Sequence, residues 1–69
     1  MSALFIIEHV SSEGVIIRDK PSRALVSFPI VQRKLGTARV CEENPDDEMI
    51  TAMEAYVRRI CLNSHLIDQ

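Results

Sequence analysis

Aromatic residues, cysteines and glycines are scarce in this sequence, and each scarcity excludes a class of protein. Only Phe5, Phe28 and Tyr56 are aromatic, so the core must be built mainly from aliphatic side chains. Two cysteines are too few for the disulfide frameworks that stabilise many small secreted domains, and we expect both to be reduced. Two glycines cannot build a glycine-rich loop that cradles phosphate groups.

Long apolar runs are also missing. No segment approaches the ~20 consecutive apolar residues that a membrane-spanning helix needs. The apolar run at residues 3–7 is too short for the apolar region of a signal peptide, and no basic side chain precedes it. We therefore expect a cytoplasmic protein that does not contact a membrane.

The chain has 69 residues, of which 46% are hydrophobic and 26% are charged. This composition excludes intrinsic disorder and predicts one small folded domain over residues 1–69. The core of so short a chain rarely leaves more than ~3–5 kcal/mol of net stability. A second chain is therefore the expected source of additional buried surface.

Two β-branched segments near the start of the sequence predict a β-hairpin. Residues 3–10 and 15–17 are rich in Ile and Val. The cluster of turn-forming residues at 11–14 separates them, and its glycine can adopt a positive φ. We expect the two segments to pair as antiparallel strands.

The middle of the chain has a less decisive pattern. Residues 24–28 predict a third strand that ends at Pro29 or lies at a sheet edge, because proline has no amide hydrogen to donate. Residues 30–35 fit either a strand or a short helical turn that Gly36 stops, and the pattern does not separate the two. Residues 37–41 predict a further short strand.

The strongest pattern is that of a helix near the C-terminus. Asn44 is a suitable cap and Pro45 fits the first helical position, so we predict a helix over residues 45–62 with Asn63 as its left-handed stop. Its apolar face extends over more than half of the helix circumference, so it must be covered on two sides, and the sheet of the same chain can cover one of them. We therefore predict a homodimer with an interface formed by Met49, Ile50, Met53, Tyr56, Val57 and Ile60. In the alternative, a loop over residues 20–40 of the same chain folds over the side of the helix that the sheet leaves uncovered.

These elements define an α+β fold class. The expected architecture is a small antiparallel sheet, made of the N-terminal hairpin and one or two short strands, with one long C-terminal helix. The helix is expected to mediate the homodimer.

Charge is segregated along the chain, although the net charge is only −2. Residues 18–41 carry six basic side chains and one acidic one, whereas residues 42–48 carry five acidic side chains. Because arginines beside an aromatic residue are typical of protein interfaces, we predict a partner-binding surface made of Arg18, Arg23, Phe28 and Arg39. The acidic residues Glu42, Glu43 and Asp47 are predicted to bind a basic surface. In the alternative, Phe28 belongs to the core and the charged side chains are solvated.

No constellation of residues predicts an enzyme or a metal site. The two histidines and two cysteines do not have the paired spacing of zinc ligands. Glu42 and Glu43 are adjacent, so on a strand they point to opposite faces and form a poor acid–base pair. No serine lies in a nucleophile elbow. We therefore expect a non-enzymatic protein without cofactor or metal.

Direct nucleic-acid binding is not expected either. The basic residues do not form a dense run with interleaved aromatic residues, and the net charge is negative. A small DNA-binding regulator and a structural subunit of a larger assembly remain the alternatives to a protein-binding function.

A short chain with split charge, an apolar helix and no catalytic constellation resembles the small early proteins of bacteriophages that bind and disable host regulators. In length and general character it is similar to the quorum-sensing anti-activators among them. The resemblance concerns the chain as a whole and assigns no role to an individual residue. It implies a homodimeric inhibitor, located in the host cytoplasm, that binds the DNA-binding domain of a LuxR-type activator and also a pilus-assembly ATPase.

Overall fold

Five antiparallel strands precede one helix in the computed structural model, which describes residues 4–68. The elements are β1 (Phe5–Ser11), β2 (Gly14–Asp19), β3 (Leu25–Val31), β4 (Lys34–Leu35), β5 (Arg39–Glu42) and α1 (Asp47–Asn63). Strand β1 pairs with β2, and β2 pairs with β3. The other side of β3 pairs with β4 near its end and with β5 near its start. The α+β prediction is confirmed.

The core lies between the sheet and the helix. Alternate side chains of β2 and β3 are buried, as expected for strands that have one covered face. The helix contributes Met53, Val57 and Cys61, each fully buried. Ten hydrophobic residues make up this core: Val15, Ile17, Ala24, Val26, Phe28, Ile30, Met53, Val57, Cys61 and Ile67.

Phe28, Met53 and Val57 correct the predictions made for them. All three are 0% exposed, so none can contact a second molecule without opening the core. The wide apolar face of the helix packs on the sheet of its own chain, because three antiparallel strands supply enough surface to cover it. Residues 25–31 belong to this sheet as β3, and the far side of the helix, which includes Ala52 and Ala55, is exposed, so residues 20–40 do not fold over a second side of it.

Strand β3 continues through Pro29 between β2 and the β4 and β5 strands, whereas the sequence predicted that it ends at Pro29 or lies at a sheet edge. The carbonyl oxygen of Pro29 accepts a hydrogen bond from the Gly36 amide at 2.7 Å, on the side of β3 that faces β4 and β5. On that side, pairing with β5 ends at Ser27 and pairing with β4 begins at Ile30. The missing amide hydrogen of Pro29 falls in the interval between these two pairings, so no ladder hydrogen bond is lost.

Residues 30–35 form a β-hairpin and not a helical turn. The turn residues Gln32 and Arg33 both have positive φ, at 53° and 61°. Two consecutive left-handed residues define the type I′ turn, which suits the twist of the flanking strands. Asn-Gly and Asp-Gly are the usual signals for this turn, and the sequence has neither of them here.

Both ends of the helix differ slightly from the prediction. The cap is Asp46 and not Asn44; its carboxylate accepts a hydrogen bond from the Met49 amide at 2.8 Å. A charged carboxylate gains more from the helix dipole than a neutral amide does. At the other end, the left-handed residue is His65 and not Asn63, with φ of 61°.

The segment after the helix is fixed to the rest of the chain. The Leu66 amide donates to the carbonyl oxygen of Cys61 at 2.8 Å and the His65 amide donates to that of Leu62 at 3.2 Å, the pattern of a Schellman motif. Ile67 then enters the core. Asp68 bonds Arg33 twice, through its amide to the Arg33 carbonyl and through its carboxylate to Nε, both at 2.9 Å.

The N-terminal hairpin matches its prediction within the described residues. Strand β1 covers residues 5–11; residue 3 lies outside the described part of the chain. No helix formed by residues 4–68 has the length and apolar character needed to cross a membrane.

Candidate functional site

The sheet face opposite the helix is the candidate site. Alternation along β2 places Ile16 and Arg18 on this face, because Val15 and Ile17 point into the core. Cross-strand pairing then defines two rows of neighbours. One row contains Ile6, Arg18, Leu25 and Glu42, and the next contains His9, Ile16, Ser27 and Arg39. We call these eight residues the outer face.

Apolar side chains occupy much of the outer face. Ile6 is 41% exposed, and Ile16 and Leu25 are half-buried. The solvated face of an antiparallel sheet usually carries polar residues that alternate with the buried ones. Three large aliphatic side chains surrounded by charged ones are instead typical of the centre and rim of a protein interface.

Arg18 organises the charged part of the outer face. Its Nε donates to the carboxylate of Glu8 at 2.8 Å, and its Nη1 donates to the carboxylate of Glu42 at 3.2 Å. Nη1 also donates to the carbonyl oxygen of Arg23 at 3.0 Å. The hydrogen bond to Glu8, followed by that to Glu42, raises the pKa of Arg18 above its ordinary value. The guanidinium group therefore stays charged and links β1, β2, β5 and the β2–β3 loop.

The β2–β3 loop is held by a buried carboxylate. Asp19 is 5% exposed and accepts hydrogen bonds from the Ser22 amide at 3.2 Å and from the Ser22 hydroxyl at 2.8 Å. Its backbone bonds both Arg23 and Ala24, at 2.7 and 2.9 Å. Arg23 has a positive φ of 66° and an exposed side chain. Asp19 thus fixes the loop that presents Lys20 and Arg23.

The structure brings together some of the residues predicted to bind a partner. Arg18 bonds both Glu42 and the backbone of Arg23, and Arg39 lies on the same face in the adjacent row. Glu43 directly follows β5 and is exposed, with a φ of 60°. Asp47 is exposed in the first turn of the helix, on the element that covers the opposite face of the sheet. Only Phe28 of this set belongs to the core.

The residues predicted for a dimer interface lie on the core side of the helix. Besides the fully buried Met53 and Val57, the half-buried members are Met49, Ile50, Tyr56 and Ile60. Tyr56 contacts Phe5 of β1 edge to face, with 5.5 Å between the ring centroids. The opposite side of the helix, which includes Glu48, Ala52, Ala55 and Arg59, is exposed.

Sequence reasoning missed Glu8 and the three aliphatic residues of the outer face. Strand β2 reads Val-Ile-Ile-Arg-Asp from residue 15, with a charged residue on each of its two faces. Hydropathy alternation alone could not tell which face was covered. The available signal was the pair Arg18 and Asp19. Asp19 can bond the loop that follows the strand, which would have placed Arg18 on the uncovered face.

Thiol and metal-binding chemistry are limited within residues 4–68. No group of three or more His, Cys, Asp or Glu side chains in this range is arranged to hold a metal ion. Cys41 is exposed and Cys61 is buried, and neither forms a disulfide bond. Burial raises the pKa of the Cys61 thiol, an effect that the positive charge of Arg58 partly opposes.

Comparisons with known proteins find no matching family model, no matching curated protein and no matching solved structure.

Proposed function

We propose that this protein is a non-enzymatic inhibitor that uses its outer face to bind a regulatory protein of a host cell. The observation that carries the proposal is the aliphatic group of exposed Ile6 and half-buried Ile16 and Leu25, bordered by the Arg18 network. A pre-formed apolar centre with a charged rim supports protein binding, because few side chains need to be ordered when the partner docks.

An acidic segment of the chain indicates that the partner has a basic surface. Residues 42–48 begin on the outer face at Glu42 and end in the first turn of the helix, and their five acidic side chains are exposed. A surface that normally binds DNA phosphates is basic and would be attracted to this segment. Binding there would compete with DNA. The resemblance to phage quorum-sensing anti-activators makes the DNA-binding domain of a LuxR-type activator the specific partner proposed, with a pilus-assembly ATPase as a second.

Two β1 residues provide a matched test of the binding face. Ile6 and Val10 are similarly exposed, at 41% and 46%, but Ile6 pairs with Arg18 on the outer face whereas Val10 pairs with Val15 on the helix side. We expect Ile6→Asp to reduce capture of the host protein from lysate by about tenfold or more, and Val10→Asp to leave it unchanged. Equal capture by both variants would refute the outer face as the binding surface. Tight binding of duplex DNA by the pure protein, weakening steeply with salt, would favour a DNA-binding regulator instead.

A homodimer is part of the proposal, through the exposed side of the helix. Glu48, Ala52, Ala55 and Arg59 recur at spacings of four, three and four residues and are all exposed. An antiparallel pair of helices related by a two-fold axis between positions 53 and 54 sets Glu48 opposite Arg59 of the second copy, twice. The two charges lie about 16 Å apart along one helix, with only alanines between them on this side. Small side chains allow the helices to approach closely, and the two outer faces then point away from each other.

Charge exchange tests this pairing. Glu48→Arg and Arg59→Glu each place like charges opposite each other, so each variant alone should be monomeric in sedimentation equilibrium. A mixture of the two should form a heterodimer, because each Arg then meets a Glu. Exchange within the Glu54–Arg58 pair, which is bonded inside one helix at 2.8 Å, is the control and should leave the dimer intact. A monomeric native protein at millimolar concentration would refute the dimer.

A further inference from the structure

One cleft on the outer face is lined by three basic side chains, of which only one forms ion pairs within residues 4–68. It has a volume of about 470 Å³ and is lined by Ile6, Arg18, Lys20, Arg23 and Glu42. Arg18 is held by two carboxylates, whereas Lys20 and Arg23 form no ion pair within residues 4–68. The partly exposed Ile6 adds an apolar wall.

Arg18 keeps hydrogen-bonding capacity in this cleft. Its bonds within residues 4–68 use Nε and Nη1, and Nη2 donates none. The two N–H groups on Nη2 remain available to an oxygen acceptor, and the side chain is 25% exposed. Because Glu8, Glu42 and the Arg23 carbonyl already fix the guanidinium, an incoming acceptor would meet a pre-oriented donor.

The charge balance of the cleft limits what it can bind. Arg18, Lys20 and Arg23 face the two carboxylates of Glu8 and Glu42, which leaves one excess positive charge. A single carboxylate neutralises that excess. A nucleic acid brings many phosphates, and the fixed carboxylates of Glu8 and Glu42 would repel those that lie beside the cleft. The apolar wall favours a carboxylate that is carried by a peptide with a neighbouring aliphatic side chain.

We propose that this cleft binds an aspartate or glutamate side chain of a partner protein, next to an aliphatic residue of the same segment. This inference rests on the proposed function, because it takes the molecule bound in the cleft to be a protein. It assigns to the partner an acidic contact that is separate from any basic surface meeting residues 42–48.

Paired peptides make the test specific for the carboxylate. We would titrate the full chain with acetyl-Leu-Asp-amide and with the neutral acetyl-Leu-Asn-amide, and follow the backbone amides and the Arg18 Nε–H signal by nuclear magnetic resonance. The expected result is saturable shifts at Arg18 and residues 20–23 with the aspartate peptide, and binding about tenfold or more weaker with the asparagine peptide. Equal shifts with both peptides would overturn the proposal.

Matched variants localise the binding. Lys20→Gln and Arg23→Gln remove the unpaired charges, and Arg23→Gln keeps the carbonyl that Arg18 bonds, so the fold is preserved. Each should weaken aspartate-peptide binding several-fold. Lys34→Gln, at the start of β4 next to Arg33, is the control and should have no effect. An equal loss with Lys34→Gln, or the same shifts at much lower concentrations of duplex DNA, would overturn the proposal.

Failure here is distinguishable from failure of the proposed function. If the aspartate peptide does not bind but Ile6→Asp still abolishes capture of the host protein, the carboxylate site is wrong and the outer face remains the binding surface.

Discussion

The two faces of strands β2 and β3 are built from neighbouring residues but differ in what covers them. Inward-pointing Val15, Ile17, Val26 and Phe28 are fully buried under the helix. Outward-pointing Ile16, Arg18, Leu25 and Ser27 are half-buried and have no element of residues 4–68 packed over them as the helix packs over the other face. The inner face forms the core, whereas the outer face keeps aliphatic surface that the helix does not cover.

This difference assigns separate consequences to substitutions one residue apart. A change on the inner face should act on the free energy of unfolding, because it leaves a cavity in a close-packed core. A change on the outer face should act on binding and leave unfolding nearly unaltered. The contrast between the faces can therefore be tested by measuring both quantities for the same set of variants.

The largest expected effect is that of Phe28→Ala. Phe28 is the largest fully buried side chain, and its truncation should cost about 3–5 kcal/mol, comparable to the whole stability of a domain of this size. We expect the cooperative urea transition followed by circular dichroism to be lost. Leu25→Ala, on the outer side of the same strand, should cost about 1 kcal/mol or less. A folded Phe28→Ala variant that had lost only partner binding would reverse the assignment of the two faces.

A slightly smaller effect is expected for Ile67→Ala. Ile67 is 3% exposed and enters the inner-face core from outside the regular elements. Its truncation should destabilise the protein by about 2–4 kcal/mol in urea unfolding. Asp68→Asn, which weakens only the exposed contact to Arg33, should cost less than about 1 kcal/mol. Similar losses for the two variants would mean that the C-terminal segment is held by the ion pair and not by burial.

Regular alternation and helix signals made most of the fold predictable. The hairpin of β1 and β2, the strand near residue 40 and the long helix follow from β-branched runs, turn residues and capping residues, which act locally. The path of β3 through Pro29 was not predictable, because it depends on β4 and β5 pairing on either side of that residue. The turn at Gln32 and Arg33 was also hidden, since its left-handed conformation has no glycine or asparagine to signal it.

The candidate site was only partly predictable for the same reason. Arginines in a mixed segment indicated a contact surface, and Arg18, Arg23 and Arg39 do lie at the outer face or its border. Phe28 was assigned to the partner-binding surface and not to the core. When both faces of a strand carry apolar residues, the sequence does not show which alternate residues point inward. Glu8 joins the site only through cross-strand pairing of β1 with β2, which no local pattern encodes.

A smaller effect on stability, with a large one on binding, is expected for Arg18→Met. Methionine keeps most of the aliphatic length of the side chain and removes its hydrogen bonds to Glu8 and Glu42. Both carboxylates are solvent-exposed, so they can be hydrated when the arginine is lost. We expect a nearly unchanged thermal melt and partner binding weaker by about tenfold or more. An unfolded variant would show that the Arg18 network belongs to the fold and not to the binding surface.

The smallest expected effect distinguishes the two thiols. Burial raises the pKa of Cys61, so the folded chain holds the thiol proton more tightly than the unfolded chain does. The contribution of Cys61 to the free energy of unfolding is therefore fully present below the ordinary thiol pKa of about 8.5 and declines as the pH rises above it. Cys41 is exposed and should react with an aromatic disulfide reagent at mildly alkaline pH within minutes, while Cys61 reacts only when the core opens. Cys41→Ser should remove the fast phase and keep the slow one. Two fast thiols in the folded protein would show that the helix does not seal the inner face.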